Sequence, residues 1–363
     1  MVTVGEVAGY IEKLAPLALA ESWDRVGLQV GRAGDEVKRL LVCLDVTAEV
    51  VSRAVETECR MIVSHHPLFF GDFTGLTEAD AAGRLGLRLA EEGINLYVSH
   101  TNLDKAPGGI NDALAAVFGL ADVRVIESAG RLLKLVVFVP KAALAAVRKA
   151  LGDAGAGVIG LYSHCSFSQP GIGAFRPMPG ARPSEGEVGK DNRVEEYRLE
   201  VEVSPADLNR VLEAMSAVHP YEEVAFDIYE LQNEDRRYGL GRVGELADGM
   251  SLEAFVEVCR ERVSRGLRVA GPAESMVNRV AVCGGSGASV IERAAAAGAE
   301  VLVTGDIKYH DAQKALRLGL AIIDAGHDAT ELVGLGELAS RLAADLDVEV
   351  QGAEAPGPYL IWW

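Results

Sequence analysis

Histidine and carboxylate side chains that could bind metal ions are concentrated in four short segments of the 363-residue chain. The segments are His65-His66, His100 to Asp104, Gly305 to His310 and Gly326 to Glu331. Neutral imidazole and carboxylate are the ligands expected for zinc, manganese or iron. Two such ions about 3.5–4 Å apart usually share a bridging carboxylate or water. The residue types therefore indicate metal-assisted chemistry.

The spacing of these residues predicts how they would be divided between two ions. Adjacent residues that leave a strand point in different directions, so His65 and His66 would serve two ions more naturally than one. His327 and Glu331 are four residues apart and share a helix face, so Glu331 could bridge the ions while His327 holds one. Asp104 would complete the second ion. The sequence thus predicts two divalent ions, Zn, Mn or Fe, on these five ligands.

Three more polar residues lie close to these ligands in the sequence: His100, Asp306 and His310. They are candidate catalytic groups that could transfer protons or orient the metal ligands. Structural hydrogen bonding explains them equally well, and Asp24 beside Trp23 is similarly ambiguous. Helix caps and solvated loops often carry the same residue types. The metal-site hypothesis therefore depends on whether these segments converge in the fold.

An internal repeat predicts this convergence. Cys43 matches Cys283, an offset of 240 residues, and the strands and helices around them correspond. The matched pairs are Lys38 to Thr47 with Asn278 to Gly287, Cys59 to Pro67 with Ala299 to Ile307, and Ile94 to Asp104 with Leu320 to Glu331. These segments predict two βαβαβ-like halves that form one mostly parallel-sheet α/β domain. The polar segments follow its strands, where ligands bind in such sheets.

The middle of the chain has a different pattern. Its strands and helices follow a βαββαβ order, which is typical of a ferredoxin-like α+β domain. We therefore predict an inserted domain over 130–235, and a metal-binding α/β domain made of 1–129 and 236–363. Arg236 to Glu245 is expected to be the linker that returns the chain to the first domain. His164 and His219 belong to the insert and have no partners at metal-ligand spacing.

The two ends of the chain and the cysteines complete the prediction. Thr3 and Glu6 form a capping-box pattern at the start of an amphipathic helix. Pro358 to Trp363 is expected to be either a last strand packed into the sheet or an exposed apolar patch, with packing favoured. Five widely spaced cysteines indicate reduced thiols. Together with an N-terminus unlike a secretory signal, they favour a cytoplasmic protein.

The charge balance excludes several classes of partner. Lysine and arginine number 35 against 53 aspartate and glutamate residues, a formal net charge of −18. A field of this sign repels nucleic acid and anionic lipid surfaces. No membrane-spanning segment is predicted. A small anionic ligand remains possible where metal ions neutralise the local charge.

Several ordered motifs resemble the NGG-interacting-factor-like family, whose bacterial members are labelled GTP cyclohydrolase I type 2 homologues. The motifs are Glu21 to Gly31, Val63 to Phe70, Ser99 to Asp104, Gly305 to His310 and Gly326 to Glu331. Val218 to Asp227 resembles the CutA- or PII-like insert of the longer members, so the resemblance covers nearly the whole chain. Arg25 departs from the family, which usually has Asn there; this leaves all five ligands intact but is expected to alter the loop beside the site and hence the substrate preference.

The resemblance implies a toroidal homohexamer with a dinuclear metal site that faces a central cavity. It also implies the five ligands already chosen from the residues. The leading functional hypothesis is a metal-dependent hydrolase of a nucleotide-like or other small phosphorylated substrate, with GTP ring opening as the version in the family label. No phosphate-binding loop of the P-loop type supports that specific version. The alternatives are a non-enzymatic metal carrier or regulatory scaffold with a ligand-sensing insert, and a protein-interaction factor.

Overall fold

The computed structural model describes residues 1–71 and 75–352. The expectation for Pro358 to Trp363 therefore falls outside the described residues. The chain divides into two compact units, one formed by 1–129 with the chain from 236 onward and the other by 130–235. In the described part of the chain, no helix is both long and apolar enough to cross a bilayer.

The first unit contains the following elements before the chain leaves it: α1 (Val4–Leu14), β1 (Gly27–Val30), β2 (Arg39–Cys43), α2 (Ala48–Glu56), β3 (Met61–Ser64), α3 (Ala81–Glu91), β4 (Asn95–Val98), α4 (Thr101–Lys105), α5 (Ile110–Val117) and β5 (Ala121–Ser128). The second unit contains β6 (Arg131–Pro140), α6 (Leu144–Asp153), β7 (Phe167–Phe175), β8 (Asn192–Val203), α7 (Leu208–Val218) and β9 (Phe226–Glu234). After returning to the first unit, the chain forms β10 (Gly239–Ser251), α8 (Leu252–Arg262), β11 (Arg268–Ala270), β12 (Met276–Ser286), α9 (Ile291–Ala296), β13 (Val301–Gly305), α10 (Tyr309–Arg317), β14 (Ala321–Asp324), α11 (His327–Asp345) and β15 (Glu349–Gln351).

The first unit is a mixed α/β structure with two sheets, and the central strands of both sheets are arranged in the same way. Their strand orders are β1-β4-β3-β2-β15 and β11-β14-β13-β12-β10-β5. In each, the three strands of the sequence repeat pair in parallel, and the strand before them lies antiparallel at the edge. Beyond this core the sheets differ, because β15 is parallel to β2 whereas β10 is antiparallel to β12. The prediction of a mostly parallel sheet therefore holds for the first sheet but is wrong for the second, where three of the five strand pairings described are antiparallel.

The predicted return linker is wrong. Most of Arg236 to Glu245 belongs to strand β10, which pairs with both β12 and β5. The glycines of this segment are typical of a loop, but in the structure they allow the backbone of β10 to pack closely against β5. A Cβ at Gly239 would lie 2.0 Å from the Glu127 carbonyl oxygen. Glycine is therefore needed at this position because the neighbouring strand lies too close for a side chain, and not because the chain turns there.

Helix α1 confirms its sequence signal. The Thr3 side chain accepts a hydrogen bond from the Glu6 backbone, and the Glu6 carboxylate accepts one from the Thr3 backbone. Val4, Val7 and Ile11 on its inner face are fully buried. Burial of each such side chain contributes about 1.5–3 kcal/mol. The two central-strand cysteines, Cys43 and Cys283, are also fully buried and are free thiols of the core.

The second unit is a four-stranded sheet with two helices. Its strand order is β7-β8-β6-β9, and all neighbours are antiparallel. One face of the sheet packs on α6 and α7 through the buried residues Val147, Leu151, Val211 and Met215. The other face carries no helix of this unit.

Close contact between α5 and α11 joins the two halves of the first unit. A Cβ at Gly334 of α11 would lie 2.6 Å from the Ile110 Cα, so the helix backbones approach more closely than any other residue would allow. Nearby, the buried Asn111 accepts a hydrogen bond from Gly284 N and donates one to the Asp104 carbonyl oxygen. Asn111 thus links the end of α4 in one half to the end of β12 in the other.

A buried arginine strengthens the same junction. Arg242 of β10 is 2% exposed and pairs with Asp112 of α5. It also donates to the carbonyl oxygens of Gly239, Gly241 and Ala106. Because all of its partners are supplied by the fold, this guanidinium is an integral part of the core.

We expect Asp112→Ala to lower the free energy of unfolding by about 3–5 kcal/mol, because it leaves a buried guanidinium without its charge partner. Denaturant unfolding would measure the loss. Glu337→Ala is the matched control, since Glu337 pairs with Arg341 on the exposed side of α11 and its loss should cost at most about 1 kcal/mol. Equal effects of the two substitutions would contradict the prediction.

Candidate metal centre

The described residues bring potential metal ligands together in three sets. Each set has three ligand atoms within 4.8 Å of one another. The sets are His65 with Asp104 and Glu331, His66 with His327 and Glu331, and His65 with His66 and His100. Two of the three sets share Glu331. The site therefore has two adjacent donor sets with one carboxylate in common.

His65 and His66 reach the site because they follow β3. His65 is fully buried, and its Nδ1 donates to the Ser99 carbonyl oxygen at 2.9 Å. His66 Nδ1 donates to Asp45 Oδ1 at 2.9 Å. In both rings these bonds leave Nε2 facing the site. Of the two sets that share Glu331, His65 belongs to one and His66 to the other, although both also belong to the set with His100.

His327 is held by the turn that starts α11. Gly326 precedes it with a φ of +95°, a conformation that favours glycine. The imidazole Nδ1 donates to Asp306 Oδ2 at 2.7 Å, and Nε2 lies 3.2 Å from Glu331 Oε1. A Cβ at Gly305 would lie 2.5 Å from His327 N, so this glycine lets the helix start close to the end of β13.

Glu331 lies one helical turn after His327 and is 3% exposed. Its Oε2 lies 3.1 Å from His66 Nε2, and its Oε1 lies 3.5 Å from His65 Nε2. Gly285, at a φ of +63°, leaves room for the carboxylate, because a Cβ there would lie 2.3 Å from Oε1. The carboxylate therefore sits between the histidines of both halves.

Asp104 completes the buried side of the site from the short helix α4. Its Oδ1 lies 3.6 Å from His65 Nε2. Asn102 fixes the start of this helix, because its side chain donates to the Ala15 carbonyl oxygen and accepts from His100 N. The Asp104 backbone is held in turn by Asn111.

Three buried polar atoms of this cluster have no hydrogen-bond partner among the described residues. They are His65 Nε2, Asp104 Oδ1 and Glu331 Oε2. The last lies close to His66, but the geometry is not that of a hydrogen bond. Buried polar groups are rarely left unpaired. Two carboxylate oxygens and an imidazole nitrogen that converge without partners fit the donor set of a divalent metal ion.

The histidines and carboxylates of the cluster shift one another's pKa values strongly. Burial would lower the pKa of His66, but its contacts with Asp45 and Glu331 raise it to about 10. The same balance, with Glu331 and Asp306 as partners, raises the pKa of His327 to about 9. Burial raises the pKa of Asp104 to about 6. Burial would also raise the pKa of Glu331, but the neighbouring histidines, His65 first, hold it well below its usual range.

His100 faces the cluster and is paired with Asp24. Its Nδ1 donates to Asp24 Oδ1 at 2.9 Å, and Asp24 Oδ2 accepts from both the amide and hydroxyl of Thr101. Burial would raise the pKa of Asp24, but the hydrogen bonds from His100 and Thr101 lower it. Arg25 is exposed and its amide donates to Asp24 Oδ1, so the departure from the family motif leaves this pair in place.

The structure thus brings most of the predicted residues together. His65, His66, Asp104, His327 and Glu331 form the two donor sets that share Glu331. Of the three candidate catalytic residues, His100 faces the cluster and Asp306 holds His327. His310 is exposed on α10 and stacks edge-on against Tyr309, and no described hydrogen bond or ion pair joins it to the cluster.

Sequence reasoning missed two residues of the site. Asp45 orients His66, and its position two residues after the end of β2, close to that of His66 after β3, was a signal that could have identified it. Asn111 joins the two halves beneath Asp104. A single amide side chain within the apolar helical stretch of α5 was its only signal.

A cavity of about 790 Å³ opens on the His66 and His327 side of the cluster. Its lining includes two basic residues, Arg268 and Lys308, and the exposed ring of Tyr309. Arg268 pairs with the buried Asp324, whereas the Lys308 amine has no partner among the described ion pairs. The donor set that contains His66 and His327 is therefore reachable from solvent.

Comparisons with known proteins agree over the whole chain. The sequence model of Duf34/NIF3 (NGG1p interacting factor 3) matches residues 2–357. A Bacillus subtilis protein named "GTP cyclohydrolase 1 type 2 homolog" is 42% identical over 334 residues, which cover 91% of this chain and 90% of that protein. The crystal structure of a Bacillus cereus protein related to NIF3 is 39% identical, with a TM-score of 0.83 and 99% of both chains covered. A Staphylococcus aureus protein of known structure is 29% identical, with a TM-score of 0.74, and covers 100% of this chain and 99% of its own.

The charge coupling predicts how the stability of the metal-free protein depends on pH. The raised pKa values of His66 and His327 mean that protonated imidazoles stabilise the folded state, fully so below their ordinary pKa of 6.5. We expect the unfolding free energy of chelator-treated protein to fall as the pH rises from 6.5 toward 9, because these protons are lost.

Denaturant unfolding of wild type and His66→Gln across this pH range tests the expectation. The variant lacks one of the two imidazoles, so its stability should fall less steeply than that of the wild type. A wild-type stability that is constant or rises over the interval would show that the imidazoles do not compensate the buried carboxylates.

Proposed function

Because the chain belongs to the Duf34/NIF3 family and its two donor sets share one buried carboxylate, we propose that it is a dinuclear metal-dependent hydrolase. Its substrate in this proposal is nucleotide-like or another small phosphorylated compound. The observation that carries the proposal is the shared position of Glu331 between the His65–Asp104 set and the His66–His327 set. A bridging carboxylate between two adjacent ions is typical of dinuclear hydrolytic sites.

The proposed ligands are His65, Asp104 and Glu331 for one ion, and His66, His327 and Glu331 for the other. The ions would be Zn, Mn or Fe, all of which accept imidazole and carboxylate. In each of the three histidines a hydrogen bond from Nδ1 directs Nε2 toward the site. Such bonds fix the tautomer and the ring orientation and increase the basicity of the ligating nitrogen.

Divalent ions at this site would polarise a phosphoryl or carbonyl group and lower the pKa of water toward neutrality. The residues of the chain perform the remaining tasks. His100 faces the cluster with Nε2, while the ionised Asp24 holds its Nδ1–H. This pair can hold or move a proton at the Nε2 atom, which is the task of a general acid or base. Asp306 and Asp45 keep His327 and His66 in position.

The mouth of the site supports an anionic substrate with a planar ring. Three of the four carboxylates that line the cavity, Asp45, Asp306 and Asp324, are paired with His66, His327 and Arg268 respectively, and the fourth, Asp328, has no partner among the described ion pairs. The Lys308 amine is left available for a phosphate oxygen. Exposed aromatic rings lie nearby: Tyr309 lines the cavity, and Trp23 lies 6.1 Å from the His100 ring. Such rings stack on purine or other planar groups.

The Bacillus subtilis relative is named a GTP cyclohydrolase 1 type 2 homolog, and GTP is accordingly one substrate to test. We further propose that the protein is a cytoplasmic homohexamer, and that 130–235 is a ferredoxin-like, CutA/PII-like insert. The strand order β7-β8-β6-β9 with antiparallel neighbours supports the ferredoxin-like assignment.

The ligand assignment predicts a distinct metal stoichiometry for each variant. Protein purified without chelator should hold two divalent ions per chain, as measured by inductively coupled plasma mass spectrometry. Glu331→Gln should lose most of both, because this residue belongs to both sets. Asp104→Asn and His327→Ala should each lose one ion, because each belongs to one set.

His310→Ala is the matched control, since this exposed histidine lies outside the donor sets and should leave two ions bound. A wild type without metal under these conditions would exclude the proposed function. Loss of a single ion from Glu331→Gln would exclude the bridging role.

The Asp24–His100 pair predicts an activity defect that is separate from metal binding. His100→Gln should lower kcat about 10²- to 10⁴-fold on any substrate found, because a positioned proton donor or acceptor contributes about this much. Its metal content should stay at two ions per chain. Asp24→Asn should change the pH dependence of kcat, because the amide no longer stabilises a protonated imidazole. A loss of metal in His100→Gln would instead identify His100 as a ligand, through the third donor set.

Turnover by the metal-loaded protein separates an enzyme from a metal carrier. A panel of nucleotides, including GTP, and small phosphoesters should contain a substrate, and His66→Ala should abolish its hydrolysis while the fold is retained. Two bound ions without turnover of any panel member would favour the carrier or regulatory scaffold.

A further inference from the structure

The second unit contains a cavity of its own, formed entirely by residues of that unit. Its volume is about 500 Å³, within the range of small-molecule sites. The cavity lies on the sheet face that carries no helix, between that face and the loop of residues 176–191 that joins β7 to β8. Aromatic and small apolar residues form most of its wall, including Phe138, Phe175 and Pro177. This wall suits an apolar ligand body.

The covering loop is held in a defined position. Arg176 and Asp191 at its two ends form a pair of hydrogen bonds, each 2.7 Å long. Near its middle, Arg182 N donates to the Glu222 carboxylate at 2.7 Å, which fixes the loop to the turn after α7. Connections longer than about 12–15 residues without secondary structure are usually functional or disordered. These fixed contacts favour the functional explanation.

A carboxylate is directed at this cavity. Glu196 of β8 is half-buried, and its Oε1 accepts a hydrogen bond from the Tyr221 hydroxyl at 2.8 Å. A Cβ at Gly173 would lie 2.0 Å from Glu196 Oε2, so glycine at this strand position leaves space for the carboxylate. Tyr221 is itself positioned by His219, whose ring contacts it edge-on and which binds the Phe138 carbonyl oxygen. The carboxylate therefore belongs to a built network.

The charged residues that line the cavity are all acidic, and the arginines of the covering loop, Arg176 and Arg182, are not part of the lining. Four glutamates line it, Glu185, Glu196, Glu222 and Glu223, and none of the lining residues is basic. Burial raises the pKa of Tyr221, and the hydrogen bond to Glu196 with the charges of Glu196 and Glu185 raises it further. An anionic ligand would be repelled here, whereas a cation would gain from every charged group in the wall.

From the apolar wall, the positioned Glu196 and a lining whose charged residues are all glutamates, we propose that the second unit binds a small organic cation with an aromatic or aliphatic body. The apolar body would lie between the sheet and the loop of residues 176–191, and the cationic group would pair with Glu196. This site is separate from the metal centre and selects ligands of the opposite charge.

A matched series of probes tests this proposal on the full-length protein. 4-Phenylbutylamine is protonated at pH 7, whereas 4-phenylbutan-1-ol is neutral and 5-phenylpentanoate is anionic, and all three carry a phenyl ring on four methylene groups. Titration calorimetry, with saturation-transfer NMR for weak binding, should show that the amine binds about tenfold more tightly than the alcohol. The anion should not bind. Equal binding of the amine and the alcohol, or no binding of the amine, would overturn the proposal.

Two variants locate the binding. Glu196→Gln removes the charge but keeps the shape and an acceptor for Tyr221, so it should remove the tenfold preference for the amine. Glu200→Gln is its control, because Glu200 is on the same strand, pairs with Arg198 and does not line the cavity. Ala181→Phe should fill the space under the loop and abolish binding of both the amine and the alcohol.

Unchanged circular dichroism and an unchanged metal content would show that these variants are folded. If Glu196→Gln and Glu200→Gln alter binding equally, or if Ala181→Phe leaves binding intact in the folded protein, the cation does not occupy this cavity and the proposal is wrong.

Discussion

A carboxylate buried at the junction of two half-structures governs the architecture of the first unit. Glu331 is 3% exposed, and removing an ionised carboxylate from water is costly unless positive charge accompanies it. Three imidazole Nε2 atoms within 3.5 Å of its oxygens supply this compensation, either as protonated rings or as ligands of shared cations. The glycines at 285 and 305 leave space for the carboxylate and for the helix that carries it. Much of the local backbone is thus adapted to keep one charge where water cannot solvate it.

The repeat explains how one chain can surround that carboxylate. Each half contributes three parallel strands whose carboxyl ends carry polar residues, and the halves meet through α5 and α11. The halves are not equivalent in chemistry. The first supplies His65, His66 and Asp104, whereas the second supplies the helix with His327 and Glu331. At the repeat position of His65 the second half has Gly305, which has no side chain to bind a metal ion. The absence of a side chain there allows the helix that carries His327 to start close to the end of β13. The two copies therefore differ in role: the first supplies three candidate ligands from its strand ends, and the second supplies two from a helix that its glycine allows to approach.

The five candidate ligands converge in the structure because each of them follows a strand or shares a helix face with another of them, and those positions depend on local periodicity alone. The sequence predicted the parallel strand cores for the same reason. It failed at β10, since the glycines of Arg236 to Glu245 resemble a linker and only the neighbouring strands reveal their packing role. Asn111 was missed because its value lies in bonding two segments that are distant in sequence. His310 shares a motif with Asp306, but the start of α10 turns its side chain toward solvent.

The net charge of −18 does not determine which ligands the site of each unit would prefer. In the first unit, the carboxylates closest to the site are paired with imidazoles or with Arg268, so bound cations would make its mouth attractive to anions. In the second unit, four glutamates and no basic residue line the cavity, so the proposed ligand there is a cation. Net charge therefore predicts repulsion of large polyanions such as nucleic acid, which contact an extended surface, but it does not predict the preference of a small site. That preference is decided within about one Debye length, roughly 8–10 Å in physiological salt, by whether each buried or half-buried carboxylate has a cationic partner.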